Sequence, residues 1–92
     1  MTVKESRRGL VITHLPLEDM ALLAVGLPLN EGVERVLAAL LAGKRVAVVT
    51  NAFEYKKFRS TASPGVYRKF TAMERQLREL GLVRAGEEET RF

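Results

Sequence analysis

An apolar helix pattern followed at once by an apolar strand pattern, over residues 33–50, limits the possible folds of this chain more than any other feature. One helix face is outlined by apolar residues at the i, i+3, i+4, i+7 and i+8 positions, which are Val33, Val36, Leu37, Leu40 and Leu41. Gly43 follows, where a helix that ends in a left-handed residue favours glycine. Residues 46–49 are continuously apolar, which is typical of a strand buried on both faces in a mostly parallel sheet. A helix, a glycine and a buried strand form one α/β repeat.

Similar signals place the other elements. Residues 10–13 (Leu-Val-Ile-Thr) predict a second buried strand, and Pro16 then suits the start of a short helix that ends at Gly26. Asn30 is predicted as the N-cap of the 33–41 helix. A further helix is predicted from Ser63 as its cap, with an apolar seam formed by Tyr67, Phe70, Met73, Leu77 and Leu80. Gly81 ends that helix, a stub of strand follows at 82–83, and residues 51–61 hold at most a single helical turn.

These elements predict an α/β fold, namely a small three-layer Rossmann- or flavodoxin-like fragment in which flanking helices cover a short parallel sheet. Residues 1–8 are predicted to be a flexible arm, residues 9–84 a single domain and residues 85–92 a charged tail. The predicted sheet is narrow and its edges are open. We therefore expect either a homo-oligomer, most simply a twofold dimer, or a protein partner that completes the sheet.

The residue content argues against several kinds of site. The chain has no Cys and a single His, so neither a disulfide nor a metal centre is supported. Ser63 is better explained as a helix cap than as a nucleophile. No apolar run approaches the roughly 20 residues of a membrane span, and no signal peptide precedes the first strand. We therefore expect a cytoplasmic protein without a membrane partner, and the residues favour a protein that is not an enzyme.

Positive charge is concentrated in the middle of the chain, where residues 44–78 contain nine Lys and Arg but only two Glu. The segment at 54–59 alternates aromatic residues with cations, a pattern that single-stranded nucleic acid uses for stacking and phosphate contact. No recognised nucleic-acid-binding motif accompanies it. Tyr55 and Phe58 are equally well explained as anchors of this loop to the core. Nucleic acid is therefore not the favoured partner.

The residues suggest one candidate ligand site, at the carboxyl ends of the two buried strands, where open α/β sheets bind ligands. The residues that we expect to bind a small anion there are His14, Thr50, Asn51, Lys56 and Lys57. Glu18 and Asp19 would oppose an anion unless their side chains point away. A lone His is also well explained by a structural role, and the same polar groups could contact a neighbouring chain.

Two segments resemble a known family of proteins. The first segment is LVITHLPLEDMALLAVGLPLNEGVERVLAALLAGKRVAVVT. It is similar to the carboxyl half of the flavoprotein domain of flavin-dependent cysteine decarboxylase-type proteins. The shared features are a strand, a helix that ends in glycine, and a second helix joined to the next strand by an "ALL-GK-V" sequence. The second resembles flavoprotein-related proteins encoded beside ethanolamine- and propanediol-utilisation microcompartment genes. The matching features are Glu54-Tyr55, the turn Thr61-Ala62-Ser63-Pro64, Tyr67 at the helix start and Leu80-Gly81 at its end.

The resemblance covers residues 9–83 and implies a Rossmann-like fold, with flavin mononucleotide (FMN) as the cofactor of the family. Two departures argue against FMN binding by this chain alone. The family's first strand and glycine/serine phosphate loop have no counterpart, and residues 14–19 replace its Pro-Ala-x-Asn-Thr-like segment. The favoured interpretation is an accessory or interaction protein of a bacterial microcompartment system, without autonomous catalysis. The alternatives are an FMN-binding protein completed by oligomerisation or by a partner chain, and a nucleic-acid-binding module.

Overall fold

The structure is a computed structural model that describes residues 1–85 of the chain. Within these residues, one sheet contains four strands in the order of the chain: β1 (Thr2–Ser6), β2 (Gly9–His14), β3 (Arg45–Val48) and β4 (Val83–Arg84). β1 is antiparallel to β2, whereas β2, β3 and β4 are mutually parallel. The α/β class and the two predicted buried strands, paired side by side, are confirmed. The stub of strand before the predicted tail is confirmed as β4.

Three α-helices connect the strands: α1 (Leu17–Val25), α2 (Glu31–Leu41) and α3 (Pro64–Leu80). The predicted caps are present, since Asn30 Oδ1 accepts a hydrogen bond from the Val33 amide at 2.9 Å and Ser63 Oγ accepts one from the Val66 amide at 3.4 Å. Each helix is followed by the glycine that the sequence indicated, with positive φ. No helix within residues 1–85 is both long enough and apolar enough to cross a membrane.

The three helices lie on one face of the sheet. Both crossovers, from β2 to β3 and from β3 to β4, move in the same direction along the sheet, and right-handed crossovers then place their helices on the same face. α1 accordingly packs against both α2 and α3. The core between helices and sheet includes Ile12, Met20, Val36, Val46 and Leu77, all fully or almost fully buried. The sequence predicted three layers, and residues 1–85 form two of them.

The second face of the sheet, which bears none of these helices, carries Val11, Ala47 and Val83 in register on three adjacent strands. Ala47 is fully buried among its neighbours, whereas Val11 and Val83 are partly exposed. This surface, with Val49 at the end of β3, is called the second face below.

The predicted flexible arm at residues 1–8 is wrong, because residues 2–6 form β1. β1 is a polar edge strand, and charged side chains are usual at sheet edges, so its composition resembled that of a loop. The Met1 ammonium lies 2.9 Å from Asp19 Oδ2 and fixes the start of the strand against α1. Of the predicted tail at residues 85–92, only Ala85 lies within the described residues.

A two-residue turn, Arg7-Arg8, joins β1 to β2, and Gly9 follows it as the first residue of β2. Gly9 has φ +151°, and a Cβ at this position would lie 2.0 Å from the Arg45 carbonyl oxygen on β3. Only glycine allows the backbones of β2 and β3 to approach this closely.

Candidate functional site

The predicted ligand site at the carboxyl ends of β2 and β3 is called the rim below. There the backbone that follows β2 contacts the backbone that follows β3. The Leu15 amide donates to the Ala52 carbonyl at 2.9 Å, and Leu15 forms a parallel bridge with Phe53. Two short 3-10 turns, Thr50–Ala52 and Glu54–Phe58, follow β3 in place of the single turn that the sequence allowed.

The polar residues of the rim are exposed, and a carboxylate accompanies them. His14 Nε2 lies 3.2 Å from Glu54 Oε2, and Thr50 and Asn51 are exposed on the first turn. A small anion at this rim would have to displace or approach the Glu54 carboxylate. The Glu54 carboxylate disfavours an anion at this rim, and anion binding there stays a prediction.

The two lysines predicted to reach into the rim belong to the second turn. Lys56 Nζ lies 3.8 Å from Glu74 Oε1 on α3 and 5.3 Å from the centre of the Phe53 ring. Lys56 is therefore held towards α3. Lys57 is exposed to solvent.

Asp19 is buried and turned away from solvent. Its Oδ1 accepts a hydrogen bond from Asn30 Nδ2 at 2.9 Å, and its Oδ2 contacts the Met1 ammonium. Burial acts to raise the pKa of this carboxyl group, but the hydrogen bonds from Met1 and Asn30 outweigh it and hold the pKa below its ordinary value of 3.8. Asp19 therefore serves to join β1, α1 and α2, while Glu18 remains exposed.

Tyr55 anchors the 54–58 segment to the helices. Its ring packs within 6.1 Å, centre to centre, of Phe53, Tyr67 and Phe70, and its hydroxyl donates to the Glu74 carboxylate. Burial, reinforced by Glu74, raises the pKa of the Tyr55 hydroxyl. Because Tyr55 is buried, it does not present a free ring face for base stacking.

Two clefts flank the Arg7-Arg8 turn. The helix-side groove lies between the β1–β2 hairpin and the second half of α2 and has a volume of about 600 Å³. Its charged lining residues are Glu5, Arg7, Arg8, Arg35 and Lys44. The sheet-side groove lies on the second face, has a volume of about 470 Å³ and carries the cations Arg7, Arg8 and Arg45 beside Val11, Ala47 and Val49.

The sequence did not predict these grooves, because their cations come from three separate segments. Arg7 and Arg8 belonged to the predicted arm, Arg35 to a solvent-facing helix side, and Lys44 and Arg45 to the end of a helix, where cations complement the dipole. Only the hairpin brings the three segments together. The Arg-Arg-Gly sequence directly before the buried strand was the one local feature that could have indicated a hairpin turn carrying cations.

Within residues 1–85 no group of three or more His, Asp or Glu side chains is placed to hold a metal ion. Comparisons with family models, with curated proteins and with solved structures found no match to this chain.

Proposed function

We propose that this chain is a non-catalytic accessory protein that binds a helix of a partner protein on the second face of its sheet. The observation that carries this proposal is the arrangement of the crossovers, which leaves α1, α2 and α3 on one face only. In doubly wound α/β proteins both faces of a parallel sheet are covered by helices. A partner helix on the second face would supply the missing cover.

The chemistry of the second face defines the partner. Val11, Val49 and Val83 offer partly exposed apolar surface, and Arg7, Arg8 and Arg45 line its hairpin end. These features suit an amphipathic helix with acidic residues beside its apolar stripe. A second copy of this chain, the predicted dimer, would bring two basic faces of a protein with net charge +4 together, so we favour a different partner.

The cellular setting of the proposal rests on the resemblance of residues 54–81 to flavoprotein-related proteins of ethanolamine- and propanediol-utilisation microcompartments. In this setting the chain would act in the cytoplasm on a microcompartment component. A non-catalytic role agrees with the single His, which is paired with Glu54.

The test places a photo-crosslinking residue at position 49 on the second face and, as a control, at the exposed position 76 on α3. We expect position 49 alone to capture a protein, which is then purified and titrated against the wild-type chain. Val49→Asp should weaken that binding about tenfold or more, because a carboxylate would be buried against apolar surface, whereas Gln76→Asp should not.

Equal capture from both positions, or equal binding by Val49→Asp and wild type, contradicts the proposal. Capture of a second copy of this chain, confirmed by sedimentation equilibrium, replaces it with the dimer. A parallel titration with FMN tests the flavin alternative: FMN bound by the isolated chain contradicts a cofactor-free accessory role. Thermal melts establish that each variant is folded.

A further inference from the structure

The helix-side groove concentrates positive charge at the end of the sheet opposite the predicted rim. Four cations, Arg7, Arg8, Arg35 and Lys44, line it together with one carboxylate, Glu5, which gives the groove a local charge of +3. Arg35 Nη2 lies 3.1 Å from Glu5 Oε1, so the only carboxylate among the lining residues is already engaged by one of these cations.

The geometry of the hairpin turn accepts Arg at positions 7 and 8 but does not require it. Two-residue hairpin turns favour Asn, Asp and Gly, because such residues tolerate positive φ. Here Arg7 and Arg8 occupy the turn without positive φ, and Gly9 takes the unusual conformation instead. Two arginines therefore occupy a tight turn beside the end of α2, and both line the helix-side groove.

The floor of the groove is lined by small side chains between Arg35 and Lys44. Ala38 of α2 and Ala42, the residue that caps its C-terminal end, are small and exposed, and they lie four residues apart between Arg35 and Lys44. A ligand can therefore lie along α2 and reach cations at both ends of this stretch. Arginine guanidinium groups match the geometry of phosphate oxygens and bind them through paired hydrogen bonds.

We propose that the helix-side groove binds linked phosphate groups, with Arg7, Arg35 and Lys44 as the binding residues. Linked phosphates suit the groove better than a single carboxylate, because one small anion would contact only part of a cation set that spans the hairpin and α2. Such phosphates belong either to a free polyphosphate or nucleotide or to a nucleic-acid backbone. This site shares Arg7 and Arg8 with the sheet-side groove, whereas Arg35 and Lys44 line the helix-side groove and do not line the sheet-side groove.

The test is calorimetric titration of the full chain with inorganic tripolyphosphate at low ionic strength. Lys44→Gln should weaken binding about tenfold, the scale of one charged hydrogen bond, whereas Lys69→Gln on α3 should leave it nearly unchanged. Both variants lower the net charge by one, and Lys69 does not line the groove. Glu5→Gln should strengthen binding several-fold because it releases Arg35, while the charge-matched Glu79→Gln should not.

A titration with a short oligonucleotide distinguishes the two sources. Tripolyphosphate and oligonucleotide binding that both depend on Lys44 support the groove for either source. Oligonucleotide binding alone, with the same dependence on Lys44, assigns the phosphates to nucleic acid. Equal effects of Lys44→Gln and Lys69→Gln, or no binding of either probe, overturn the proposal. Thermal melts confirm folding, and because Lys44, Lys69, Glu5 and Glu79 are all exposed, we expect every variant to fold.

Discussion

Two leucines one turn apart on α3 provide the sharpest test of the described packing. Leu77 is 1% exposed and belongs to the core beneath β3 and β4, whereas Leu80 is 46% exposed. Leu→Ala at a fully buried site removes the transfer free energy of the side chain and leaves a cavity, at a cost of about 2–5 kcal/mol. We therefore expect Leu77→Ala to lower the free energy of unfolding by about 3 kcal/mol, and Leu80→Ala by less than about 1 kcal/mol.

The difference between the two variants isolates burial. Both remove the same atoms from the same helix, so the change in helix propensity cancels. A domain of this length is stable by about 5–14 kcal/mol, so a loss of 3 kcal/mol leaves it folded at 25 °C but lowers Tm by roughly 12–24 °C. Urea unfolding followed by circular dichroism measures both variants, with equal m-values as the sign that two-state unfolding is preserved.

The reasoning is refuted if Leu80→Ala costs as much as Leu77→Ala, or if Leu77→Ala costs less than about 1 kcal/mol. Either result would mean that α3 does not cover the sheet through Leu77.

Two further substitutions test the hairpin and the anchor of β1. Gly9→Ala should destabilise the chain by at least about 3 kcal/mol, because the new Cβ would clash with the backbone of β3. Gly65→Ala, in the first turn of α3, should instead stabilise the chain by about 0.5 kcal/mol, because nothing lies within reach of its Cβ. Urea unfolding measures the free energy of unfolding of both variants. Asp19→Asn should cost about 2 kcal/mol at pH 7, because the Met1 ammonium loses its charged hydrogen-bond partner on the buried Asp19. The folded-state pKa of Asp19 is lowered, so this contribution to stability is present above the unfolded value of 3.8 and is lost as pH falls through the folded pKa. Unfolding free energies measured from pH 7 to pH 2 should therefore converge for wild type and Asp19→Asn at the acid end. A difference that stays constant with pH would contradict this assignment.

The parts of the fold that the sequence predicted depend on local patterns. The apolar period of α2, the continuous apolar run of β3 and the caps Asn30 and Ser63 are each set by residues within a few positions of one another. Local spacing determines which side chains share a helix face, so it was sufficient there. β1 had no such pattern, because an edge strand is defined by its partner across the hairpin rather than by its own composition.

The orientation of side chains at the site depended on distant residues. Asp19 sits in the first turn of α1, where an acidic residue is expected to face solvent and complement the dipole. The Met1 ammonium and Asn30 draw it into the interior instead, from 18 and 11 positions away. His14 is likewise paired with Glu54, which is 40 residues further along the chain. No local reading of the sequence could specify either contact.

The strand-end rule itself depends on a condition that this chain meets only in part. Ligand phosphates bind beyond the carboxyl ends of parallel strands because a helix begins there and its amide groups and dipole attract the anion. α1 does begin after β2, but Asp19 and Glu18 lie in its first turn. After β3 the chain forms two short 3-10 turns, and α3 begins only at Pro64. Within residues 1–85, the rim thus has the start of α1 after β2 but no α-helix start directly after β3, while the cations of the two grooves lie at the hairpin, at the other end of the sheet. Where the backbone offers little positive potential, side-chain charge decides where an anion binds, which is why we place phosphate binding in the helix-side groove rather than at the rim.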